Sequence, residues 1–114
     1  MIEKTVYDYL NSILDTPVYT EIPANPPDSF VVIEKTGSSR ENRIDTATMA
    51  LQSYAVSLFR AAELNEEVKA AIEGMIELDS ISAVYLNSDY NFTDQSTKHY
   101  RYQALYVITY LRKE

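Results

Sequence analysis

KHYRYQALYVITYLR, residues 98–112, contains no Gly, Pro, Asn or Asp and is dense in aromatic and β-branched side chains, the composition of a long strand. One face carries Tyr100, Tyr102, Ala104, Tyr106, Ile108 and Tyr110. The other begins polar with His99, Arg101 and Gln103 and turns apolar at Leu105, Val107 and Leu111. A half-buried strand alternates apolar with polar residues, whereas a strand covered on both faces need not. This strand therefore needs cover on two sides. A chain of 114 residues has only a modest core to offer, which points to a subunit that packs against copies of itself.

Working outward, the segment preceding this strand, residues 80–90, reads as its hairpin partner, with NFTDQST (91–97) as the connecting loop. At the start of the chain, Ile2, Val6, Tyr9, Leu10, Ile13 and Leu14 follow the spacing of an amphipathic helix, which Pro17 ends. A short extended piece at 18–22 leads into PANPPDS (23–29), where three prolines exclude regular structure. FVVIEKT (30–36) has the look of a buried strand, and Gly37 opens a polar stretch, GSSRENRID (37–45), expected to be an exposed, mobile loop. In TATMALQSYAVSLF (46–59) residues of alternating character predict one long strand with small side chains on one face, where a helix can pack close. Leu64, Val68, Ala71, Ile72, Met75 and Ile76 give a second helical stripe. Asn65 is its expected N-cap, with Glu66 and Glu67 near the positive end of the helix dipole. The expected fold is a single α+β domain over residues 1–114, in the order α-β-β-β-α-β-β. Four to five mostly antiparallel strands form the sheet, and both helices pack on one face.

Bulk composition narrows function. Net charge −7 argues against gripping nucleic acid through its phosphates, while leaving open a surface past which DNA slides. The chain has no cysteine, which excludes disulfides, thiolate nucleophiles and Cys-ligated metals. MIEKTVYDYLNS has no signal-peptide core, and no run approaches the roughly 18 apolar residues of a membrane span, so a soluble protein made in the cytoplasm is expected.

Little in the sequence suggests catalysis, and no cofactor or metal is expected. His99 is the single histidine, and two glycines cannot build a phosphate cradle. Asn87, Asp89 and Asn91 match the first ligand positions of a calcium loop, but Phe92 stands where the turn needs Gly and Lys98 where the bidentate Glu belongs. A polar hairpin is the better reading. The acids of residues 63–79 are either a solvated helix face or an acidic surface that repels DNA, with Glu66, Glu67, Glu73 and Glu77 its candidates. Arg40 and Arg43 are placed either to meet an acidic neighbour or simply to stand in an exposed surface loop, the two readings being equally good. Tyr100, Tyr102, Tyr106 and Tyr110 suit an interface exposed before assembly, because each couples an apolar body to a polar tip. Core packing under the helices is as good a reading for Tyr106 and Tyr110.

The run of elements, from the N-terminal helix and Pro-rich loop through VVIEK, TATMALQSYAVSLF and EEVKAAIEGMIEL to the Tyr-rich hairpin, resembles the tail-completion and head–tail joining proteins of long-tailed bacteriophages and prophages, tail terminators among them. The resemblance spans nearly the whole chain and rests on element order. It implies a ring, typically of six subunits, that caps the tail tube, stops its polymerisation and presents a surface to the head connector while DNA passes through the hole. It implies no catalytic residues, and a life first in the host cytoplasm and then in the virion. By position the 37–45 loop matches one that reaches a neighbouring subunit or partner. Rival readings are a head-completion or stopper protein, a small dimeric α+β regulatory or ligand-binding domain, and an enzyme with a carboxylate metal site.

Overall fold

A computed structural model describes residues 1–94, 96 and 99–111. The N-terminal helix α1 (Ile2–Ile13) buries Ile2, Val6 and Leu10, one stripe at helical spacing. It stops four residues short of Pro17, where Leu14 turns extended. The Asn11 amide then clasps both backbone groups of Val18, accepting from its N–H at 3.2 Å and donating to its carbonyl at 3.5 Å. That bond pair gives the edge strand β1 (Val18–Tyr19) partners on its outer side, and β1 pairs in parallel with β2 (Phe30–Glu41).

The polar run 37–45 is not a mobile loop. β2 continues through it to Glu41, and β3 (Ile44–Ala55) begins directly after a two-residue turn. Asn42 and Arg43 take φ of 51° and 67°, the doubly left-handed geometry whose twist suits a tight hairpin. Gly37, Ser38 and Ser39 have poor strand propensity, but that propensity yields to pairing. Each is registered against β3, and β3 is held on its other side by β5 (Tyr100–Leu111) down to the Ile44–Leu111 pair. The hairpin is an arm of the sheet, bent by a bulge between Lys35 and Gly37.

The expected strand 46–59 also ends early. Ser57 caps a helix, its hydroxyl accepting from the Arg60 N–H at 3.2 Å, so Leu58 and Phe59 belong to α2 (Leu58–Glu73), which a 3-10 turn (Gly74–Glu77) extends. Asn65 is therefore not the N-cap. It lies within the helix, 1 % exposed, and Glu66 and Glu67 stand two turns past the positive end of the dipole. The period-2 alternation happens to run on through Ser57, which hid the cap.

β4 (Ile81–Asn91) completes a five-stranded sheet of order β1-β2-β3-β5-β4, antiparallel except for the β1–β2 pair. Both helices pack on one face, as expected. There Val31, Ile33, Ala47, Met49, Leu51, Ala104, Tyr106 and Ile108 meet Val6, Leu10, Leu64, Val68 and Ile72 in one continuous core. The longest dimension, 44 Å, is that of twelve-residue strands at ~3.3 Å per residue, and the 24 Å width is that of five strands ~4.8 Å apart.

Candidate interaction surface

Helices cover one face of the sheet and leave the other open. Register assigns residues to the open face: Phe30, Val32 and Glu34 of β2 stand opposite Tyr54, Gln52 and Ala50 of β3. These in turn face Arg101, Gln103 and Leu105 of β5. On β4, Tyr90 pairs with Gln103, Ser88 with Leu105 and Tyr85 with Val107.

One end of this face is satisfied by its own side chains. Phe30 stacks on Tyr54 at 4.6 Å with 4° between the planes, and Tyr19 meets Phe30 edge-on at 6.1 Å. The Arg101 guanidinium lies 4.4 Å from the Phe92 ring centre and 5.5 Å from that of Tyr54. It also donates to the Tyr54 hydroxyl at 2.9 Å and the Phe92 carbonyl at 2.8 Å. Tyr90 meets Phe92 edge-on at 5.7 Å. This rung crosses all five strands. A second, polar rung follows, in which Gln52 donates to Gln103 at 2.8 Å and Gln103 to the Tyr90 hydroxyl at 2.6 Å. Phe30, Val32 and Tyr54 are 3–6 % exposed although no helix covers them.

Beyond these rungs the face mixes threonines with apolar side chains, and Glu34 and Glu41 lie along its β2 side. Thr46, Thr48 and Ala50 of β3 lie beside Thr109, Val107 and Leu105 of β5. Tyr85, 55 % exposed, stands over the outer side of Val107, and Ile44 and Leu111, 42 % and 54 % exposed, close the arm end.

The candidate tyrosines lie elsewhere. Tyr106 is fully buried under α2 and donates to a Glu73 carboxylate oxygen, so it is a core residue and presents nothing to a neighbour. Burial first, then that bond, pushes its hydroxyl well above the usual tyrosine range. Tyr110, half-buried on the same helix-bearing side opposite Asp45, is pushed up chiefly by burial. Tyr102 is half-buried opposite Ser53 on that side, and Tyr100 is exposed at the start of β5. Of the two faces weighed for contact with another chain, the tyrosine stripe is thus the helix-covered one, and Leu105, Val107 and Leu111 lie on the open one.

Arg40 is tied to Asp45 across the arm at 2.8 Å, while Arg43 stands exposed in the turn. The acids of α2 divide. Glu66 pairs with Lys69 at 2.7 Å and Glu73 accepts from Tyr106, and both are exposed, as are Glu67 and Glu77. Lys69 also reaches Asp89 of β4 at 2.7 Å, and Asn65 donates to the same carboxylate at 2.9 Å. The Lys69 bond holds the Asp89 carboxyl below its ordinary range, and Asp89 in turn raises Lys69. Asp89, a match to the calcium-loop pattern, is therefore a structural strut between helix and sheet. His99 closes the β4–β5 connection in a bridge to Asp94; Lys98 lies outside the described residues. Among the described residues no three His, Asp or Glu converge to hold a cation, and no helix is long and apolar enough to cross a membrane.

Sequence reasoning missed the rungs. Phe30, Tyr54 and Arg101 sit on three different strands and Phe92 just past the end of β4, and only the pairing register brings them into line. No protein-family model matches the chain, and no curated protein matches it closely enough to count as a relative.

Proposed function

We propose that the protein is a structural subunit of the head–tail junction of a long-tailed bacteriophage. It closes into a ring that caps the tail tube, ends its polymerisation and joins it to the head connector, and DNA passes through the ring. The observation that carries self-assembly is the sheet clothed by helices on one face only, with an apolar band left on the other. The station along the virion rests on the resemblance in element order. A ring closes by a repeated head-to-tail contact, so one surface of each copy meets a different surface of the next. The excess of acid, net −7, suits a conduit that must not bind the DNA moving through it, and exposed Glu66, Glu67 and Glu73 of α2 and Glu77 of its 3-10 extension are its candidates.

Electron microscopy of the purified protein tests this reading. Rings with a central hole are expected, with a mass near six copies of 13.0 kDa. A stable dimer without rings contradicts it and favours the small dimeric binding domain. Gene order supplies an independent check, since flanking tail-tube, tape-measure or portal genes are expected.

A further inference from the structure

We infer that residues 15–29 form a strap, latched to the domain around Val18 and Tyr19, which opens as a unit while the rest of the chain stays folded. Closed, the strap guards the apolar edge of β2 against pairing with other chains.

The latch is one spot. Between α1 and β2, Val18 is the single buried residue of the strap; Tyr19 is half-buried and Ile22 is 54 % exposed. The hydrogen bonds that tie the segment down gather at the same place. Asn11 clasps the Val18 backbone, the Pro17 carbonyl accepts from the Val31 N–H at 3.0 Å, and β1 pairs with β2 at two positions, Val18–Val31 and Tyr19–Val32. The Tyr19 ring adds its edge-on contact with Phe30. Past the latch the strap stands off the helix. A cavity of about 590 Å³ opens there, walled by Tyr7 and Asp8 of α1 and by Tyr19, Glu21 and Pro23 of the strap. A segment with few buried side chains and few backbone bonds opens at a lower free energy than the whole domain unfolds. Pro17 and the prolines at 23, 26 and 27 hold the chain extended on both sides of the latch, so it leaves as one piece rather than fraying residue by residue.

The strap covers a stretch of edge that has no protection of its own. Phe30, Val31, Val32 and Ile33 are buried, carry no charge and pair with β3 in unbroken register, so their outer backbone is a regular, apolar template for another strand. β1 sits on the middle of that run. Further along β2 every residue from Glu34 to Glu41 is exposed, charge enters with Glu34, Lys35, Arg40 and Glu41, and the bulge between Lys35 and Gly37 breaks the register. The opposite edge, β4, is bulged twice, between Ile81 and Ala83 and between Leu86 and Ser88. Charge and bulges both discourage edge pairing. The apolar run of β2 has neither, and the strap stands in their place.

Amide exchange of the full chain, followed by NMR in wild type, Asn11→Ala and Ile108→Val, tests the strap. Asn11→Ala removes the clasp at an exposed position where alanine favours the helix. Ile108→Val loosens the core in β5, with β2 and β3 between it and the strap. Both variants lower overall stability, but the strap's own opening changes in the first alone. The Val31 amide, which Asn11 does not touch, is expected to exchange about tenfold faster in Asn11→Ala and within twofold of wild type in Ile108→Val. A Val31 amide unchanged in Asn11→Ala, or accelerated in Ile108→Val as much as that of Leu51, overturns the strap. Loss of soluble protein at 100 µM tests the guarding role: it is expected to be several-fold faster in Asn11→Ala than in Ile108→Val, and equal rates overturn that role.

Discussion

Asn65, inside α2, is the residue that departs furthest from its expected role. An amide in a helix interior competes with the backbone, yet here its Nδ2 is committed to Asp89, which Lys69 also holds. The Lys69–Asp89 strut fixes a pH dependence. Asp89 is depressed in the fold, so its contribution is present above the ordinary carboxylate range, ~pH 4, and lost as pH falls through the folded value. Lys69 is raised, so its share persists below the ordinary lysine value, ~10.4, and is lost only as pH rises through the folded one. Between those limits the strut is expected to give a flat plateau. Asp89→Asn should cost about 1–2 kcal/mol at neutral pH, and the gap to wild type in urea midpoints should close as pH falls through the depressed folded value of Asp89. Ser53 behaves in the opposite way. Its hydroxyl is fully buried beneath α2 and has no hydrogen-bond partner among the described residues. Ser53→Ala is expected to leave stability unchanged or raise it by up to ~1 kcal/mol, since it removes a desolvated hydroxyl without opening a cavity.

At the scale of elements, the parts legible in the sequence were those whose periodicity comes from burial on one face: α1, the core of α2, the β4–β5 hairpin and the placement of both helices on one side of the sheet. The parts that were not legible depend on information outside the local pattern. The arm reads as a loop because Gly37, Ser38 and Ser39 have no strand preference of their own; only their pairing with β3, itself held by β5, makes them a strand. The Asn42–Arg43 turn lacks the glycine that usually marks such hairpins, so Arg43 takes a left-handed conformation at some cost. Arg43→Gly should therefore stabilise the arm by about 0.5–1 kcal/mol, seen as slower amide exchange over residues 37–48. The start of α2 was hidden because Ser57 continues the strand alternation, and Ser57→Ala is expected to cost about 1 kcal/mol in chemical denaturation. The aromatic rung on the open face was invisible for a related reason: sequence supplied its rings but not the register that aligns them.

At the scale of the whole molecule, the closing strand was the segment that demanded cover on both faces, and the fold supplies it on one. Tyr106, Ala104 and Ile108 find theirs under α2, and Leu105 and Val107 look out from the other side. A head-to-tail ring also needs a second surface on the next copy. Phe59 and Val56, 73 % and 63 % exposed at the entry to α2, are apolar side chains the fold leaves without cover. Phe59→Ser is expected to weaken the proposed ring without lowering the unfolding temperature, as measured by mass photometry alongside calorimetry. The central claim, that copies of the chain close into a ring, is tested most directly by sedimentation velocity of the wild-type protein from 1 to 100 µM. A concentration-dependent rise to a closed species near six times 13.0 kDa is expected; a single monomer boundary across the whole range would contradict it.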